Sequence, residues 1–397
     1  MIKKSTVDLF SPLQLSCGVR LKNRIIKSAM SDSLGDGFGN PTKLQINLYE
    51  KWAFGGVAAS IIGEVQCHPK FAEKPGNLVL NEQSDPQAFK KLAKHGTKND
   101  TLLWPQLGHA GALTYPVIGK PKGPSKLNFI GLSCDELSLS EIQHIPTYFA
   151  NSAKYAKNLG FSGVQIHAAH GFLLSQFLSP LFNQRSDQYG GTILNRIRLL
   201  IETLEEVRLA VGDDFAIAIK INSSDQIDGG LTHEDSLKAI EFLNEKKLDI
   251  IDISGGTYFP GAKSSSDSSK EGPYFIQYAG LARQKTSTPL MVTGGFKTKD
   301  QATHAVASGV VDLVGLARAL ILEPSLASIW QKTNENPIFP TFKSLPKGGI
   351  TAWYSMQLTA IAKNRQLDQN YDLEKAILEY ETRDQNRAIS WNSKYAS

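Results

Sequence analysis

Two histidines lie three residues apart in the stretch GVQIHAAHGF, at the point where a buried strand is predicted to end. His167 and His170 can serve as metal ligands, as acid–base groups or as hydrogen-bond donors to a ligand oxygen. They can also be partly buried histidines that only hold a loop in place. Among these alternatives, we favour paired donors to a ligand oxygen.

A metal site would need more ligands than this pair supplies, because protein zinc sites usually hold four. His109, which follows an earlier predicted strand, is a candidate for a third ligand. No Asp or Glu at a convincing position completes the set. We therefore predict that the chain holds no metal.

Lys220 ends another predicted strand, and alternation along that strand points its side chain into the same region as the histidines. An ammonium group without a partner is costly to bury. Lys220 could face an anionic ligand or cofactor, pair with Glu64 or Asp225, or form a Schiff base. We favour the anionic ligand.

Two glycine-containing loops indicate a phosphate site. Residues 293–296 read TGGF and residues 315–318 read GLAR, each after a predicted strand. Barrel enzymes often bind phosphate in the loops after strands seven and eight, where glycines let the backbone approach and an arginine adds charge. The sequence GDGFG at 35–39, with Glu64 after the next strand, imitates a dinucleotide fingerprint. Its spacing is wrong for that motif, so we interpret it as a loop.

The elements that must position these residues follow a simple alternation. Eight short apolar segments are predicted to be strands: 25–29, 57–62, 102–107, 164–167, 216–221, 250–253, 290–292 and 311–314. Helical patterns follow them at 42–54, 85–95, 140–159, 192–211, 232–246, 274–283, 299–308 and 317–322. This order predicts a (β/α)8 TIM barrel of the α/β class, in which function sits on the loops after the strands.

Segments outside this alternation are predicted to flank the barrel. Residues 9–24 read as an N-terminal hairpin, 111–139 as a long loop, and 352–385 as a helical segment. We predict a barrel domain over 1–330 and a C-terminal extension over 331–397 that packs on the barrel or on a partner subunit.

Composition excludes several classes of protein. The net charge is +5 over 397 residues, but Lys and Arg are scattered, which does not indicate nucleic-acid binding. The three cysteines form no disulfide pattern, the N-terminus has no apolar signal region, and no apolar run reaches the ~20 residues of a membrane span. We expect a soluble cytoplasmic protein that does not bind membranes.

Longer motifs carry a resemblance to a known family over residues 8–325. They are KNR at 22–24 with SAM at 28–30, PQLGHAG at 105–111, HAAHGFLLSQFLSP at 167–180, NQRSDQYGG at 183–191, and the loops TGGF and GLAR. In these motifs the chain resembles NADH:flavin oxidoreductases of the Old Yellow Enzyme type. The resemblance implies the same barrel, FMN as a non-covalent cofactor, and NADH or NADPH as reductant.

The resemblance also implies roles for individual residues. The residues implied to contact FMN are Ser28, Ala29, Met30, Glu64, Gln106, Lys220, Gly294, Gly295, Ala317 and Arg318. Of these, Gln106 would bond the pyrimidine edge of the flavin, and Lys220 would lie beside its N1 and C2 carbonyl. The phosphate would be held by Gly294, Gly295, Ala317 and Arg318. His167 and His170 would bind a carbonyl or nitro oxygen of the substrate.

One catalytic position departs from the family. The relatives usually carry a tyrosine two residues after the second histidine position, as proton donor to the substrate carbon, and this chain has Phe172 there. Tyr258, Tyr115 and Tyr189 are candidate replacements, along with water. Ser31 stands where some relatives have cysteine, and Ala112 stands where an arginine is common.

The expected function is ping-pong transfer of hydride from NAD(P)H through FMN to an activated alkene, a quinone or a similar small electrophile. The alternatives are an oxidative flavin-dependent dehydrogenase or demethylase, for which the missing tyrosine matters less, and a flavin-binding protein with little turnover. In some relatives C-terminal residues reach a neighbouring subunit's pocket. Trp353 and Tyr354 are candidates for that contact if the chain forms a homo-oligomer.

Overall fold

A computed structural model of the chain describes residues 7–260, 262, 272–342 and 346–396. The strands are, in chain order, β1 (Leu13–Gln14), β2 (Arg20–Leu21), β3 (Ile25–Lys27), β4 (Ala59–Gln66), β5 (Leu78–Val79), β6 (Leu102–Gly108), β7 (Lys122–Gly123), β8 (Leu127–Phe129), β9 (Leu132–Glu136), β10 (Gly163–Ala168), β11 (Ala216–Asn222), β12 (Ile250–Ser254), β13 (Leu290–Thr293) and β14 (Leu313–Leu316).

The α-helices are α1 (Lys43–Phe54), α2 (Pro86–Gly96), α3 (Leu139–Asn158), α4 (Leu173–Leu178), α5 (Ile193–Arg196), α6 (Arg198–Val211), α7 (His233–Leu243), α8 (Ile276–Ala282), α9 (Lys299–Ala307), α10 (Arg318–Leu322), α11 (Leu326–Lys332), α12 (Gly349–Ala362) and α13 (Leu373–Tyr395). None of the helices in the described ranges combines the length and the apolar run needed to cross a bilayer.

Eight strands close into a parallel barrel in the order β3–β4–β6–β10–β11–β12–β13–β14, and β14 pairs back with β3. These strands are buried along almost their whole length. Parallel strands covered by helices on one side and by the barrel interior on the other require such apolar sequences. The structure confirms the predicted (β/α)8 TIM barrel.

The strand register brings chemically important residues into one layer of the barrel. Lys220 on β11 is the register partner of His167 on β10 and of Asp252 on β12. Because residues in register on neighbouring parallel strands project from the same side of the sheet, these three side chains meet.

The N-terminal hairpin β1–β2 closes the end of the barrel at which the strands begin. Leu15 and Leu21 join a buried cluster with Trp104 and other barrel residues. Asp249, at the start of β12, accepts hydrogen bonds from Cys17 N at 3.0 Å and from Ser16 Oγ at 2.7 Å. The predicted hairpin is therefore present and is bonded to the barrel.

Several predicted boundaries were wrong. The second barrel strand is β4 (Ala59–Gln66), so Glu64 lies inside a strand and not after it. The helix predicted over 192–211 is interrupted between α5 and α6. The loop predicted over 111–139 contains the small sheet β7–β9–β8, and the helix predicted over 352–385 is two helices, α12 and α13.

The two C-terminal helices pack on the barrel of their own chain. Helix α12 contacts α1 and α10, and α13 packs along α12. From α13, Trp391 is fully buried and the Nη1 atom of Arg387 donates to the carbonyl of Ser33 at 2.8 Å. These contacts join the C-terminal helix to the loop after the first barrel strand.

Two of the three glycines of the GDGFG loop, Gly37 and Gly39, are explained by this contact. Gly39 has a φ of 79°, and a Cβ built on it would lie 2.8 Å from the hydroxyl oxygen of Tyr395. That hydroxyl donates to the carbonyl of Phe38 at 2.8 Å. The loop is thus a docking site for α13, in agreement with our rejection of a dinucleotide fingerprint.

Candidate active site

A cavity of about 790 Å³ opens among the loops that follow the barrel strands. The predicted site residues that line it are Ala29, Met30, Glu64, Gln106, His167, His170, Phe172, Lys220, Gly294, Gly295, Ala317 and Arg318. Ser28 lies beside the cavity, with its Oγ 2.8 Å from Oγ1 of Thr293, which lines it. The structure brings the predicted residues together, and the role of each stays a prediction.

The two histidines are bonded to each other. His167 Nε2 lies 3.1 Å from His170 Nδ1, and His170 Nε2 lies 2.9 Å from Ser254 Oγ. His170 has a φ of 61°, which is costly for a residue with a side chain, and its N–H donates to Asn222 Oδ1 at 3.1 Å. Sequence reasoning missed both partners: Ser254 contacts the ring of His170, and Asn222 accepts from its backbone N–H.

Glu64 stands behind His167. Its Oε1 lies 2.8 Å from His167 Nδ1, a contact too far out of line to be a hydrogen bond donated by the ring, and its Oε2 has no hydrogen-bond partner among the described residues. Burial raises the pKa of Glu64 to about 8, against the opposing effect of Lys220. Burial, assisted by Lys220, lowers the pKa of His167 to about 3. Both groups therefore prefer to be uncharged at neutral pH.

Lys220 has a carboxylate partner that we did not predict. Its Nζ lies 2.7 Å from Oδ2 of Asp252, and both side chains are almost fully buried. From the sequence we considered Glu64 and Asp225 as possible structural partners of Lys220. Both were wrong, because the partner is Asp252. Lys220 also lines the cavity, so its ammonium can face a ligand while it stays paired.

Asp252 is the centre of a buried hydrogen-bond network below the cavity. Its Oδ2 accepts from Gln165 Nε2 at 3.0 Å, and its Oδ1 accepts from Thr293 Oγ1 at 2.7 Å. Gln165 Oε1 in turn accepts from Gln106 Nε2 at 2.7 Å. The signal for Asp252 was present in the sequence, because a single carboxylate inside the apolar strand IIDIS must have a buried partner.

The two glycine-containing loops, residues 293–296 and 315–318, lie at another part of the cavity and together are called the glycine cradle. Gly295 has a φ of 83°, and a Cβ there would lie 2.3 Å from the carbonyl oxygen of Gly272. A Cβ on Gly315 would lie 2.2 Å from Thr293 Oγ1. Only glycine fits at either position, because a side chain there would collide with neighbouring atoms of the protein.

The polar and charged groups on the cavity wall suit the donor and acceptor chemistry of FMN. Arg318, Lys297 and Lys347 line it together with the glycine cradle and can balance the charge of a phosphate. The guanidinium of Arg318 lies 5.3 Å from the ring centre of Tyr354, which restricts its position. The amide of Gln106 and the ammonium of Lys220 supply polar contacts for a heterocycle.

Of the three tyrosines considered as proton donors, Tyr258 lines the cavity. Its ring centre is 6.0 Å from that of Phe172, and its N–H donates to the carbonyl of His170 at 3.1 Å. Tyr189 is buried elsewhere and donates to Glu202 at 2.9 Å. The Nζ atom of Lys74 lies over the ring of Tyr115, 4.7 Å from the ring centre.

The two C-terminal aromatic residues have different positions. Tyr354 lines the cavity of its own chain, whereas Trp353 is fully buried in the core. Trp353 is therefore not accessible for the contact with a neighbouring subunit that we considered for this pair.

His109 does not join the histidine pair. Its ring stacks on Phe71 with centres 4.2 Å apart, and its Nδ1 accepts from Gly111 N at 3.1 Å. Within the described ranges, no group of three or more His, Cys, Asp or Glu side chains is arranged to hold a metal ion.

The buried state of His109 predicts a pH dependence of stability. Burial lowers the pKa of His109 to about 3, whereas an unfolded histidine has a pKa of about 6.5. Between these values only the unfolded state binds the proton, so the stability present above pH 6.5 is lost as the pH falls, by about 1.4 kcal/mol per pH unit. His109→Gln should reduce the slope of unfolding free energy against pH by that amount between pH 6 and pH 4.

Urea unfolding at a series of pH values measures this slope. The exposed residue His144 provides the matched control, and His144→Gln should leave the slope as it is. A His109→Gln slope equal to that of the unmutated protein would contradict the assignment.

Comparison with known proteins identifies the family. Residues 8–336 match the model of the NADH:flavin oxidoreductase / NADH oxidase family. The NADH-dependent flavin oxidoreductase iliE of Hypocrea jecorina is 30% identical over 351 residues, which cover 79% of this chain and 86% of that protein. The NADH oxidase of Thermoanaerobacter brockii is 28% identical over 324 residues, 80% of this chain and 50% of that protein.

Solved structures agree. A 2-naphthoyl-CoA reductase in complex with 2-naphthoyl-CoA aligns with a TM-score of 0.77 at 26% identity, over 81% of this chain and 52% of that one. Morphinone reductase aligns with a TM-score of 0.73 at 22% identity, over 85% and 92%, and this likeness concerns the fold alone. The chain therefore belongs to the NADH:flavin oxidoreductase / NADH oxidase family, of the Old Yellow Enzyme type, and is an oxidoreductase that uses FMN with NADH or NADPH as reductant.

Proposed function

We propose that this enzyme reduces an activated alkene or a similar small electrophile, and that reductant and substrate use the same cavity in turn. The observation that carries the proposal is the convergence, in one cavity, of the histidine pair, Tyr258 and the predicted cofactor residues. Bound FMN would accept hydride from NAD(P)H and deliver it to the second substrate. The three cysteines are free thiols, which supports a reducing, cytoplasmic compartment.

The cofactor contacts are part of the proposal. Gly294, Gly295, Ala317 and Arg318 would hold the phosphate, and Ser28, Ala29, Met30 and Glu64 would border the flavin. Gln106 would bond its pyrimidine edge, as the hydrogen bond between Gln106 and Gln165 already orients the amide. Lys220, kept in place by Asp252, would stabilise negative charge on the ring.

The histidine pair would bind the oxygen of the substrate. We assign the proton of neutral His167 to Nε2, which lies 3.1 Å from Nδ1 of His170. His170 then carries its own proton on Nε2. This N–H faces Ser254 Oγ, and the substrate oxygen can replace that hydroxyl as the acceptor. In this arrangement the N–H of His170 reaches the substrate oxygen and His167 orients the His170 ring. An N–H fixed in this way stabilises the negative charge that develops on oxygen as hydride reaches the β-carbon.

Tyr258 would supply the proton that the missing tyrosine at 172 supplies in relatives. Enclosure by the cavity walls, assisted by the charges of Glu73 and Glu64, raises the pKa of Tyr258, so its phenol keeps a proton to give. Tyr258 lines the cavity and its side chain is 65% exposed, so a substrate can reach the phenol.

A steady-state screen of flavin-loaded enzyme tests the proposal. With NADH and with NADPH, we expect turnover of cyclic enones, quinones or nitro compounds with ping-pong kinetics. The proposal would be contradicted if NAD(P)H reduced the flavin but none of these compounds reoxidised it faster than oxygen does. If amines or alcohols reduced the flavin instead, the enzyme would work in the oxidative direction.

A further inference from the structure

Three side chains on the cavity wall stand in a row. Glu64 Oε1 lies 2.8 Å from His167 Nδ1, and His167 Nε2 lies 3.1 Å from His170 Nδ1. His170 Nε2 lies 2.9 Å from Ser254 Oγ, at the place proposed above for the substrate oxygen. Each ring thus has a polar atom beside both of its nitrogens, which is the arrangement in which a histidine can pass a proton on.

The carboxyl group of Glu64 has few other contacts. It is only 7% exposed, and its Oε2 has no hydrogen-bond partner in the parts of the chain that the structure describes. Gly108 on β6 makes room for it, since a Cβ there would lie 2.7 Å from that oxygen. Lys220 is already paired with Asp252 at 2.7 Å. A carboxyl group buried in this way prefers to hold a proton.

The charges around Glu64 decide where that proton resides. The titratable groups that interact with Glu64 are His167, Lys220, Cys67, Glu73 and Tyr258. Burial raises the pKa of Glu64 to about 8, against the opposing charge of Lys220. Burial also lowers the pKa of His167 to about 3 and holds that of His170 well below its usual value. At neutral pH the carboxyl group therefore holds a proton, and neither ring carries a charge.

We propose that Glu64 stores the proton that a substrate oxygen takes up, and that His167 and His170 pass it on. The inference rests on the function proposed above and concerns acceptors that end with the new proton on oxygen, such as quinones. An enone ends as a ketone, with its new proton on carbon. Tyr258 would thus supply the proton for carbon, and Glu64 the proton for oxygen.

The transfer balances without a charge on either ring. Hydride transfer gives the quinone two electrons and one hydrogen, and leaves a negative charge on the oxygen held by His170. That oxygen takes the proton from His170 Nε2, and His170 Nδ1 takes the proton from His167 Nε2. His167 Nδ1 then takes the proton of Glu64. The products are the hydroquinone and a carboxylate on Glu64, and both rings remain neutral in their other tautomer.

The store is refilled from water. When the hydroquinone leaves, water replaces it beside His170, and the same steps in reverse return a proton to Glu64. The contact between Glu64 Oε1 and His167 Nδ1 is out of line for a hydrogen bond, and such contacts often align only when the substrate binds.

The rate of quinone reduction tests the inference. Rapid mixing of reduced, FMN-loaded enzyme with duroquinone, which does not react with thiols, measures this rate. In the unmutated enzyme the rate should be constant below pH 8 and fall by about tenfold per pH unit above it, because the protonated form of Glu64 is the active one.

Glu64→Gln keeps the shape of the side chain and has no proton to give. At neutral pH it should lower the quinone rate by about 10²-fold, the low end of the usual contribution of proton transfer, and it should abolish the fall above pH 8. The rate with a cyclic enone is measured in parallel. The ratio of the quinone rate to the enone rate reports the loss, because an effect on FMN binding or on hydride transfer changes both rates.

Glu73→Gln is the matched control. Glu73 lines the same cavity, and burial raises its pKa to about 8 as well. It makes no hydrogen bond or ion pair with either histidine within the described residues. This variant should retain the quinone-to-enone ratio and the fall in rate above pH 8.

Infrared spectroscopy gives a readout that needs no turnover. The difference spectrum between the unmutated enzyme and Glu64→Gln, both loaded with FMN, should show the carbonyl stretch of a protonated carboxyl group at neutral pH. This band should disappear as the pH rises through 8. A carboxylate that serves packing alone gives no such band.

The inference is overturned if Glu64→Gln retains the quinone-to-enone ratio, or if the protonated carboxyl band is missing at neutral pH. A quinone rate that does not fall above pH 8 in the unmutated enzyme overturns it without any variant. An enzyme that reduces both acceptors but gives one of these results loses the inference alone. If the unmutated enzyme reduces neither acceptor, the proposed function is lost and the inference with it.

Discussion

Tyr258→Phe should lower the rate at which the reduced enzyme converts a cyclic enone by about 10²-fold or more, which is the usual contribution of a positioned general acid. The phenol is the group on the cavity wall beside Phe172 that can protonate the substrate carbon after hydride transfer. Rapid-mixing measurement of enone-dependent flavin reoxidation gives this rate directly.

Two controls identify the lost step as protonation. Flavin reduction by NADH and reoxidation by a quinone should be unchanged, because neither requires a proton on carbon. In the Tyr258→Phe background, Phe172→Tyr should recover much of the enone rate. The Phe172 ring already lies 4.6 Å, centre to centre, from the ring of His167, so a phenol there enters the same cavity.

An unchanged enone rate in Tyr258→Phe would show that water is the proton source. Phe172→Tyr alone would then be expected to accelerate the reaction. If Phe172→Tyr has no effect in either background, no protonation step limits the rate and the role assigned to Tyr258 is wrong.

The barrel could be predicted because its signals are local and repeated. Each strand is a short apolar run before a helix, and this alternation permits few arrangements other than a closed parallel barrel. The loops that carry function follow from the fold. His167, Lys220 and Arg318 were therefore placed in one cavity before any contact was known.

What could not be predicted depends on contacts between distant segments. Sequence alternation pointed Lys220 inward, but only the strand register selects Asp252 as its partner over Glu64 or Asp225. The same applies to Arg387 and Ser33, which are separated by 354 residues in the sequence and meet because α13 packs against the barrel. No periodicity within one segment reports such a meeting.

A motif alone does not decide between ligand binding and packing where the same residue types serve both. The GDGFG loop has the composition of a phosphate loop, yet two of its three glycines, Gly37 and Gly39, make room for α13. The histidine pair has the spacing of free ligands, yet the rings bond each other and Ser254. In both cases the residue types were identified correctly, and the geometry decided their use.

The second large effect concerns the buried ion pair. Lys220→Met should lower the free energy of unfolding by about 3–5 kcal/mol, since it leaves the fully buried Asp252 carboxylate without its cation. Gln165 and Thr293 still donate to that carboxylate but cannot balance its charge. Urea unfolding of the FMN-free protein measures this effect apart from any contact of Lys220 with the cofactor.

The double variant Lys220→Met/Asp252→Asn separates the charge from the packing. Asparagine keeps the shape of Asp252 and removes its charge, so the double variant should be more stable than Lys220→Met alone, although it carries one more substitution. Lys238, paired with Glu234 at 2.8 Å on the surface, gives the matched control, and Lys238→Met should have little effect. A double variant less stable than Lys220→Met would mean that Asp252 stabilises the barrel through its hydrogen bonds to Gln165 and Thr293 more than through its pairing with Lys220.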